Sequence, residues 1–167
     1  YSSAASDVYK RQIIAHALAV IGNTYFGKEL DAEHIAMLGI MHDTTEIITG
    51  DLPTPIKYYA PEIRDAYKKV ENVAACQLIS ELPEEMQNAY EDILIENDDI
   101  NWKYVKAADK MSAYIKCIEE RNTGNTDFAK AEETIKKALD EMHMEEIEKF
   151  IEMFLPAYTK TLDEISK

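Results

Sequence analysis

The spacing of apolar residues along this chain is that of α-helices. From Ile13 onward they recur every three or four residues, and no stretch alternates polar and apolar positions as a half-buried strand would. Glycine, proline and capping residues such as Asp31 separate the helical stretches, and Pro156 is predicted to end one of them. We therefore predict an all-α bundle with helices at residues 13–26, 31–49, 61–81, 83–96, 100–121, 128–154 and 157–166.

Residues 50–60 interrupt this helical pattern with a glycine and two prolines. Proline lacks a backbone donor and biases the preceding residue toward extended geometry, so a rigid turn is predicted here. Directly before this turn, the second predicted helix carries His42, Asp43 and Glu46. On a helix, His42 and Glu46 would lie one turn apart on the same face, with Asp43 beside His42.

This set of side chains has two explanations. An adjacent His42 and Asp43 can both reach one metal ion, and Glu46 can then contact a water bound to that ion. Alternatively, His42 is a histidine at a helix end that is held by its neighbour. Spacing alone leaves both explanations open.

A further carboxylate, Asp109, is predicted on an apolar helix, on the side that carries Val105 and Ala108. Carboxylates are seldom buried without a partner. The partner would be a metal ion, or else Lys106 or Lys110 on the same helix. Asp109 is therefore a second candidate for metal binding.

The remaining polar and aromatic candidates favour structural roles. His16 is predicted to be a satisfied histidine in the core, whereas His34 is predicted to be exposed or capping and His143 to lie at the surface. Trp102 is predicted to anchor the helix of Asp109 rather than to stack on a base. The two cysteines are far apart and lack CxxC spacing, which predicts buried thiols in a reducing compartment.

Composition limits the kinds of partner. The 167 residues are 46% hydrophobic, which is typical of one globular domain. The 32 acidic residues outnumber the 18 basic ones, and the formal charge of −14 argues against a long nucleic acid or an anionic membrane surface as partner. No apolar run approaches the roughly 20 residues that span a bilayer, and no secretory signal is visible. A cytoplasmic protein is expected.

With these residues, the chain resembles the HD-domain metal-dependent phosphohydrolases, and among them most closely the bacterial 5′-deoxynucleotidases. The similarity extends from about Ile13 to Lys167. Its most specific segments are 42–46 (HDTTE), 49–57 (TGDLPTPIK), 105–109 (VKAAD), 113–120 (AYIKCIEE) and 162–166 (LDEIS). The resemblance implies an HD-domain helical bundle of about six or seven helices.

The resemblance also implies which residues bind the metal ion and which residue activates the attacking water. His42, Asp43 and Asp109 match ligands of a single divalent cation, either cobalt, manganese or a similar transition metal, with magnesium as an alternative. Glu46 matches the residue that activates the attacking water. These are the metal-binding and catalytic residues that the family pattern predicts.

On the substrate side, Asp51 matches a second acid of the catalytic site, and Thr54 and Lys57 lie in the matching substrate loop. Lys57 and Arg11 would offset the charge of a phosphate. The implied reaction is release of phosphate from deoxyribonucleoside 5′-monophosphates by a homodimer.

The start of the chain departs from the family pattern. The family carries Glu-His-Ser nine residues before the position of His16, and this chain has Ser-Asp-Val there, so Asp7 replaces the first histidine ligand. Residues 1–12 are therefore expected to be an atypical, non-native segment before an HD-type domain at 13–167. Two alternatives follow: a catalytically impaired nucleotide-binding or dimerisation module, and an HD hydrolase of another phosphorylated nucleotide.

Overall fold

The computed structural model describes residues 4–50, 60–97 and 99–158, with the helical backbone alone for residues 4–9 and 61. Every regular element in these ranges is a helix, which confirms the predicted all-α class. None of the described helices is long and apolar enough to cross a membrane. The helices are α1 (Ala4–Phe26), α2 (Ala32–Met41), α3 (Glu46–Thr49), α4 (Pro61–Ser80), α5 (Glu84–Leu94), α6 (Ile100–Asn122), α7 (Ala129–Asp140) and α8 (Glu145–Tyr158).

The chain divides into two compact units, and the first contains the described residues up to Gly39 and from Asp99 onward. In this unit α1 packs on α6 and α8, and α6 also packs on α7 and α8. Their shared core buries Leu18 of α1 and Tyr104 and Met111 of α6. The long helix α6 is therefore the element around which this unit is built.

The second unit covers residues 40–98. Helix α4 packs on α3 and on α5, around a small core of Ala75, Ile79 and Leu94. Pro61 begins α4, as predicted, because its missing N–H is one that the first turn of a helix leaves unpaired.

Helix α1 begins at Ala4, nine residues earlier than the apolar pattern predicts. Two of the added residues, Lys10 and Arg11, form ion pairs with α6. Lys10 Nζ lies 2.8 Å from Glu119 Oε1, and Arg11 Nη1 lies 3.3 Å from Asp109 Oδ1, both on α6. Ion pairs between distant segments leave no periodic signal in the sequence, which explains the difference.

The predicted helix 128–154 is two helices, α7 and α8. Between them His143 is exposed, as predicted, and has a φ of 49° in the left-handed region. Leu139 and Met144, on either side of the break, are both buried. On an uninterrupted helix their side chains would lie about 140° apart, so one helix face could not bury both. Pro156 does not end α8 but lies in its last turn, two residues before Tyr158. The predicted helix at 157–166 falls largely outside the described residues.

The structure also shows the positions of three side chains for which the sequence predicts structural roles. Trp102 is buried in the first turn of α6, in line with an anchoring role. The Asp31 carboxylate accepts a hydrogen bond of 2.8 Å from the His34 N–H, which confirms the predicted N-cap of α2. The prediction for His16 is wrong, since this side chain is exposed on α1.

A fully buried carboxylate, Glu146 of α8, links three segments of the first unit. The Tyr104 hydroxyl donates to Glu146 Oε1 at 2.6 Å, and Lys28 forms an ion pair with the same oxygen. Burial raises the pKa of Glu146, but the hydrogen bonds from Lys28 and Tyr104 outweigh it and hold the pKa below its ordinary value. The position beside this carboxylate requires a glycine, Gly22, because a Cβ there would lie only 2.9 Å from Glu146 Oε1.

Glu146→Gln is expected to lower the free energy of unfolding by about 1 to 3 kcal/mol at neutral pH, because the buried amide loses the attraction of Lys28. The Lys28 side chain is 40% exposed, which keeps the loss below that of a fully buried pair. Since the folded-state pKa of Glu146 is lowered, its contribution is present above the unfolded-state pKa and is lost as the pH falls through the folded-state value. The difference between variant and wild type should therefore shrink in acid.

Urea unfolding followed by circular dichroism, at pH 7 and at about pH 3.5, measures both effects. Glu145→Gln is the matched control, because Glu145 is the exposed neighbour of Glu146 on the same helix. Equal unfolding midpoints for the two variants would show that the buried pair does not stabilise the fold.

Candidate active site

His42 and Asp43 lie in a tight turn between α2 and α3. Helix α2 ends at Met41, and the Thr44 N–H then donates to the Met41 carbonyl at 2.9 Å, in a three-residue turn instead of a helical bond. The prediction of one continuous helix through Thr49 is therefore wrong here. Two consecutive β-branched threonines follow Asp43, and such residues fit an α-helix less well than most.

The two side chains of this turn face each other, with His42 Nε2 3.0 Å from Asp43 Oδ1. Two donor atoms that are each about 2.1 Å from one ion, at about a right angle, also lie about 3 Å apart. His42 and Asp43 therefore fit a shared cation. A direct hydrogen bond between them has the same length, so both explanations from the sequence are compatible with this geometry.

Glu46 begins the single-turn helix α3, directly after this turn, and its side chain is partly buried. The helix ends at Thr49, and the next residue, Gly50, has a φ of 69°, which favours glycine. The Tyr67 hydroxyl on α4 donates to the Gly50 carbonyl at 2.8 Å, and this contact holds the end of α3 against α4. The residues predicted to contact the substrate lie outside the described ones: Asp51, Thr54 and Lys57.

Asp109 lies at the surface of α6, with 55% of its side chain exposed. The predicted burial is wrong: Val105 and Ala108 are buried, but Asp109 is rotated by about 100° from Ala108 around the helix. Its ion-pair partner is Arg11 of α1, at 3.3 Å. A contact between residues so far apart in the chain could not be recognised from spacing within α6.

A shallow pocket of about 210 Å³ is lined by Asp109 together with Arg11, Ser112, Ala113 and Lys116. Ser112 and Lys116 were not predicted, although their spacing of three and seven residues from Asp109 places them on one face of α6. The pocket brings two cationic side chains to one place in a chain of net charge −14. Both cations are paired with carboxylates in the structure, Arg11 with Asp109 and Lys116 with Glu120.

The metal ligands predicted from the family pattern are only partly brought together in the described segments. Among residues 4–50, 60–97 and 99–158, no set of three or more His, Cys, Asp or Glu side chains is grouped so as to hold a metal ion. His42 and Asp43 belong to one unit and Asp109 to the other. The side chain of Asp7 lies outside the described ones. A common metal site for these ligands therefore stays a prediction.

Comparison with known proteins identifies the family of this chain. The family model described as 5′-deoxynucleotidase YfbR-like matches residues 3–158. The 5′-deoxynucleotidase of Vibrio cholerae is 48% identical over 155 residues, which is 92% of this chain and 80% of that protein. Those of Photobacterium profundum and Erwinia tasmaniensis are 47% and 42% identical, over 92% and 93% of this chain and 80% and 79% of their own lengths.

A solved structure supports the fold. An HD-domain phosphohydrolase from Listeria innocua superposes with a TM-score of 0.79 over 99% of this chain and 81% of its own, at 23% identity. The predicted HD-domain bundle and the predicted resemblance to bacterial 5′-deoxynucleotidases are both confirmed. The chain is a member of the 5′-deoxynucleotidase YfbR-like family.

Proposed function

We propose that this chain is a metal-dependent phosphomonoesterase that converts deoxyribonucleoside 5′-monophosphates into deoxynucleosides and phosphate. Membership of the 5′-deoxynucleotidase family supports the reaction class. The structural observation that supports a metal site is the distance of 3.0 Å between His42 Nε2 and Asp43 Oδ1. This is the spacing of two ligand atoms bound to one ion.

The residues that would hold the cation are His42, Asp43 and Asp109. One nitrogen and two oxygen donors suit a divalent transition ion such as Co²⁺ or Mn²⁺, and Mg²⁺ is the harder alternative. When bound, the ion supplies Lewis-acid polarisation of the phosphoryl group and makes the attacking water more acidic.

Glu46 is the proposed general base. It takes a proton from the attacking water while the water oxygen bonds to phosphorus and the bond from phosphorus to the 5′-oxygen breaks. Its backbone is fixed on both sides, because its N–H donates to the Asp43 carbonyl at 3.0 Å and its carbonyl accepts from the Gly50 N–H at 2.9 Å. Asp51 orients the sugar or assists the leaving oxygen.

The proposed substrate contacts come from two places. Thr54 and Lys57 of the substrate loop bind the nucleotide, and Lys57 and Arg11 offset the phosphate charge. Lys116 adds a second cation to the pocket beside Asp109. Selection of deoxyribose over ribose is proposed to come from close packing at the turn of residues 51–55, where a 2′-hydroxyl would clash.

We also propose that the enzyme acts as a homodimer in the cytoplasm. The two cysteines are free thiols, which fits a reducing compartment. The prediction that both are buried is correct for Cys117 and wrong for Cys76, which is exposed.

Phosphate release from a substrate panel tests the proposed reaction. Deoxyribonucleoside 5′-monophosphates are expected to react at least about tenfold faster than their ribose counterparts. A Glu46→Ala protein purified in the same way controls for contaminating phosphatase. Activity confined to cyclic nucleotides or alarmones would instead support an HD hydrolase of another phosphorylated nucleotide. A folded, metal-free and inert protein would support a binding or dimerisation module.

Arg11→Gln is expected to strengthen binding of Mn²⁺ by about two- to fivefold. The guanidinium competes with the cation for the Asp109 carboxylate, and an exposed ion pair contributes at most about 1 kcal/mol, or about fivefold in affinity. Isothermal titration calorimetry measures the change. Lys10→Gln is the control, because Lys10 pairs with Glu119 at 2.8 Å and its loss removes the same charge without a change at Asp109. Weaker Mn²⁺ binding by Arg11→Gln would show that Arg11 supports the site rather than competing with it.

A further inference from the structure

Helix α3, which carries the proposed general base Glu46, is too short to be stable by itself. It has four residues, and a single helical turn gains few backbone hydrogen bonds for the dihedral angles that it fixes. Apolar burial contributes little, because Ile47 is 79% exposed and Ile48 is 43% exposed. The position of α3 therefore depends on the contacts that are made at its ends.

Two hydroxyl groups meet at the C-terminal end of α3, on one carbonyl oxygen. The Tyr67 hydroxyl of α4 donates to the Gly50 carbonyl at 2.8 Å, and the Thr49 hydroxyl donates to the same oxygen at 3.0 Å. A carbonyl oxygen has two lone pairs, so it can accept both hydrogen bonds. Tyr67 is the partner that comes from another helix, and its hydroxyl therefore fixes the end of α3 relative to α4.

The backbone of Gly50 connects this contact to Glu46. The Gly50 N–H donates to the Glu46 carbonyl at 2.9 Å, so Gly50 is bonded to Glu46 on one side and to Tyr67 on the other. We infer that Tyr67 is a positioning residue for Glu46. It acts through the Gly50 backbone and not by contact with the substrate.

Helix α4 is a firm support for such a contact. It has 20 residues and packs on α5 around the core of Ala75, Ile79 and Leu94. A general base has to lie within about 3 Å of the proton that it takes, and a misplacement of about 1 Å can slow a reaction about a hundredfold. Loss of the Tyr67 hydroxyl is therefore expected to slow the chemical step while the aromatic ring stays in place.

The inference rests on the proposed role of Glu46, and Tyr67→Phe tests it through kcat and KM for phosphate release from a deoxyribonucleoside 5′-monophosphate at saturating Mn²⁺. We expect kcat to fall about tenfold and KM to stay within about twofold of wild type, because Tyr67 does not touch the substrate. A residue that only stabilised the fold would lower the unfolding midpoint and leave kcat of the folded protein unchanged.

Hydrogen exchange of the amides of residues 46–50, followed by mass spectrometry, is the second measurement and needs no activity. Each of these amides donates to a backbone carbonyl, so it exchanges when the turn opens. In Tyr67→Phe the exchange is expected to be about three- to tenfold faster, the factor for one neutral hydrogen bond. Should the wild type release no phosphate, the proposed function fails, and unchanged exchange in Tyr67→Phe would separately overturn the role of Tyr67.

Tyr90→Phe is the matched control, because it removes a phenol hydroxyl from α5 in the same unit, where the ring packs on the small core. It should keep the wild-type kcat and the wild-type exchange of residues 46–50. A folded Tyr67→Phe protein with the same kcat as Tyr90→Phe would overturn the proposal. Thr49→Val removes the second hydroxyl on Gly50 and decides the outcome should Tyr67→Phe fail to fold by circular dichroism. We expect its kcat to be lower and its exchange faster than in the wild type, and wild-type values of both would refute the positioning contact.

Discussion

Asp43→Ala is expected to abolish tight binding of Mn²⁺ or Co²⁺ and to slow phosphate release from a deoxyribonucleoside 5′-monophosphate at least about a thousandfold. The replacement removes an oxygen donor 3.0 Å from His42 Nε2, together with the negative charge that favours a cation there. Asp43 is 36% exposed in a turn, so the free energy of unfolding should change by less than about 1 kcal/mol. The loss of activity would then reflect the site and not the fold.

Calorimetric titration with Mn²⁺ and a phosphate-release assay on the same preparation measure the two effects of Asp43→Ala. Asp92→Ala is the matched control, because it removes an exposed carboxylate from α5 in the same unit. The control should retain both properties. Binding of Mn²⁺ by Asp43→Ala with the wild-type dissociation constant would refute Asp43 as a ligand.

Glu46→Gln is expected to reduce the turnover rate by a factor of about 10² to 10⁴, which is the usual contribution of a general base. The amide has nearly the same shape as the carboxylate but cannot accept the proton of the attacking water. Glu46 is not among the proposed ligands, so the dissociation constant for Mn²⁺ should stay within about threefold of wild type. This pattern would differ from that of Asp43→Ala, in which metal binding and turnover are lost together.

Single-turnover phosphate release at saturating Mn²⁺ isolates the effect of Glu46→Gln on the chemical step. Glu85→Gln, at an exposed position in the first turn of α5, makes the same replacement elsewhere and should react at the wild-type rate. A rate for Glu46→Gln within about threefold of wild type would exclude Glu46 as the base.

Helices with local start signals could be predicted from the sequence. Pro61 begins α4 at the predicted residue. The prediction that α6 begins at residue 100 is also correct, because Asp99 caps it by accepting a hydrogen bond from the Asn101 N–H. In both helices the signal lies within the first turn, and the all-α class follows from the same periodicity.

Features that depend on distant contacts could not be predicted. Lys10 and Arg11 in the first half of α1 form ion pairs with α6, and no periodic pattern in the sequence records such pairs. The turn at His143 buries side chains on both sides of it, in a stretch whose apolar spacing resembles one long helix. Local propensity carries no information about either.

In the candidate site, too, the local feature could be predicted from the sequence and the long-range contacts could not. His42 and Asp43 are neighbours in sequence, so their approach to 3.0 Å needed no long-range information. The exposure of Asp109 and its contact with Arg11 depend on how α1 packs on α6. Tyr67, which holds the end of α3 through Gly50, is likewise supplied by another helix, and nothing in its own sequence context indicates that role.

The central claim, metal-dependent release of phosphate, is tested most directly by one assay on the wild-type chain. The rate with a deoxyribonucleoside 5′-monophosphate is measured before chelation, after removal of divalent ions, and after Mn²⁺ or Co²⁺ is restored. We expect the rate to fall at least about a hundredfold on removal and to recover on restoration. An unchanged rate in the metal-free protein would contradict the claim.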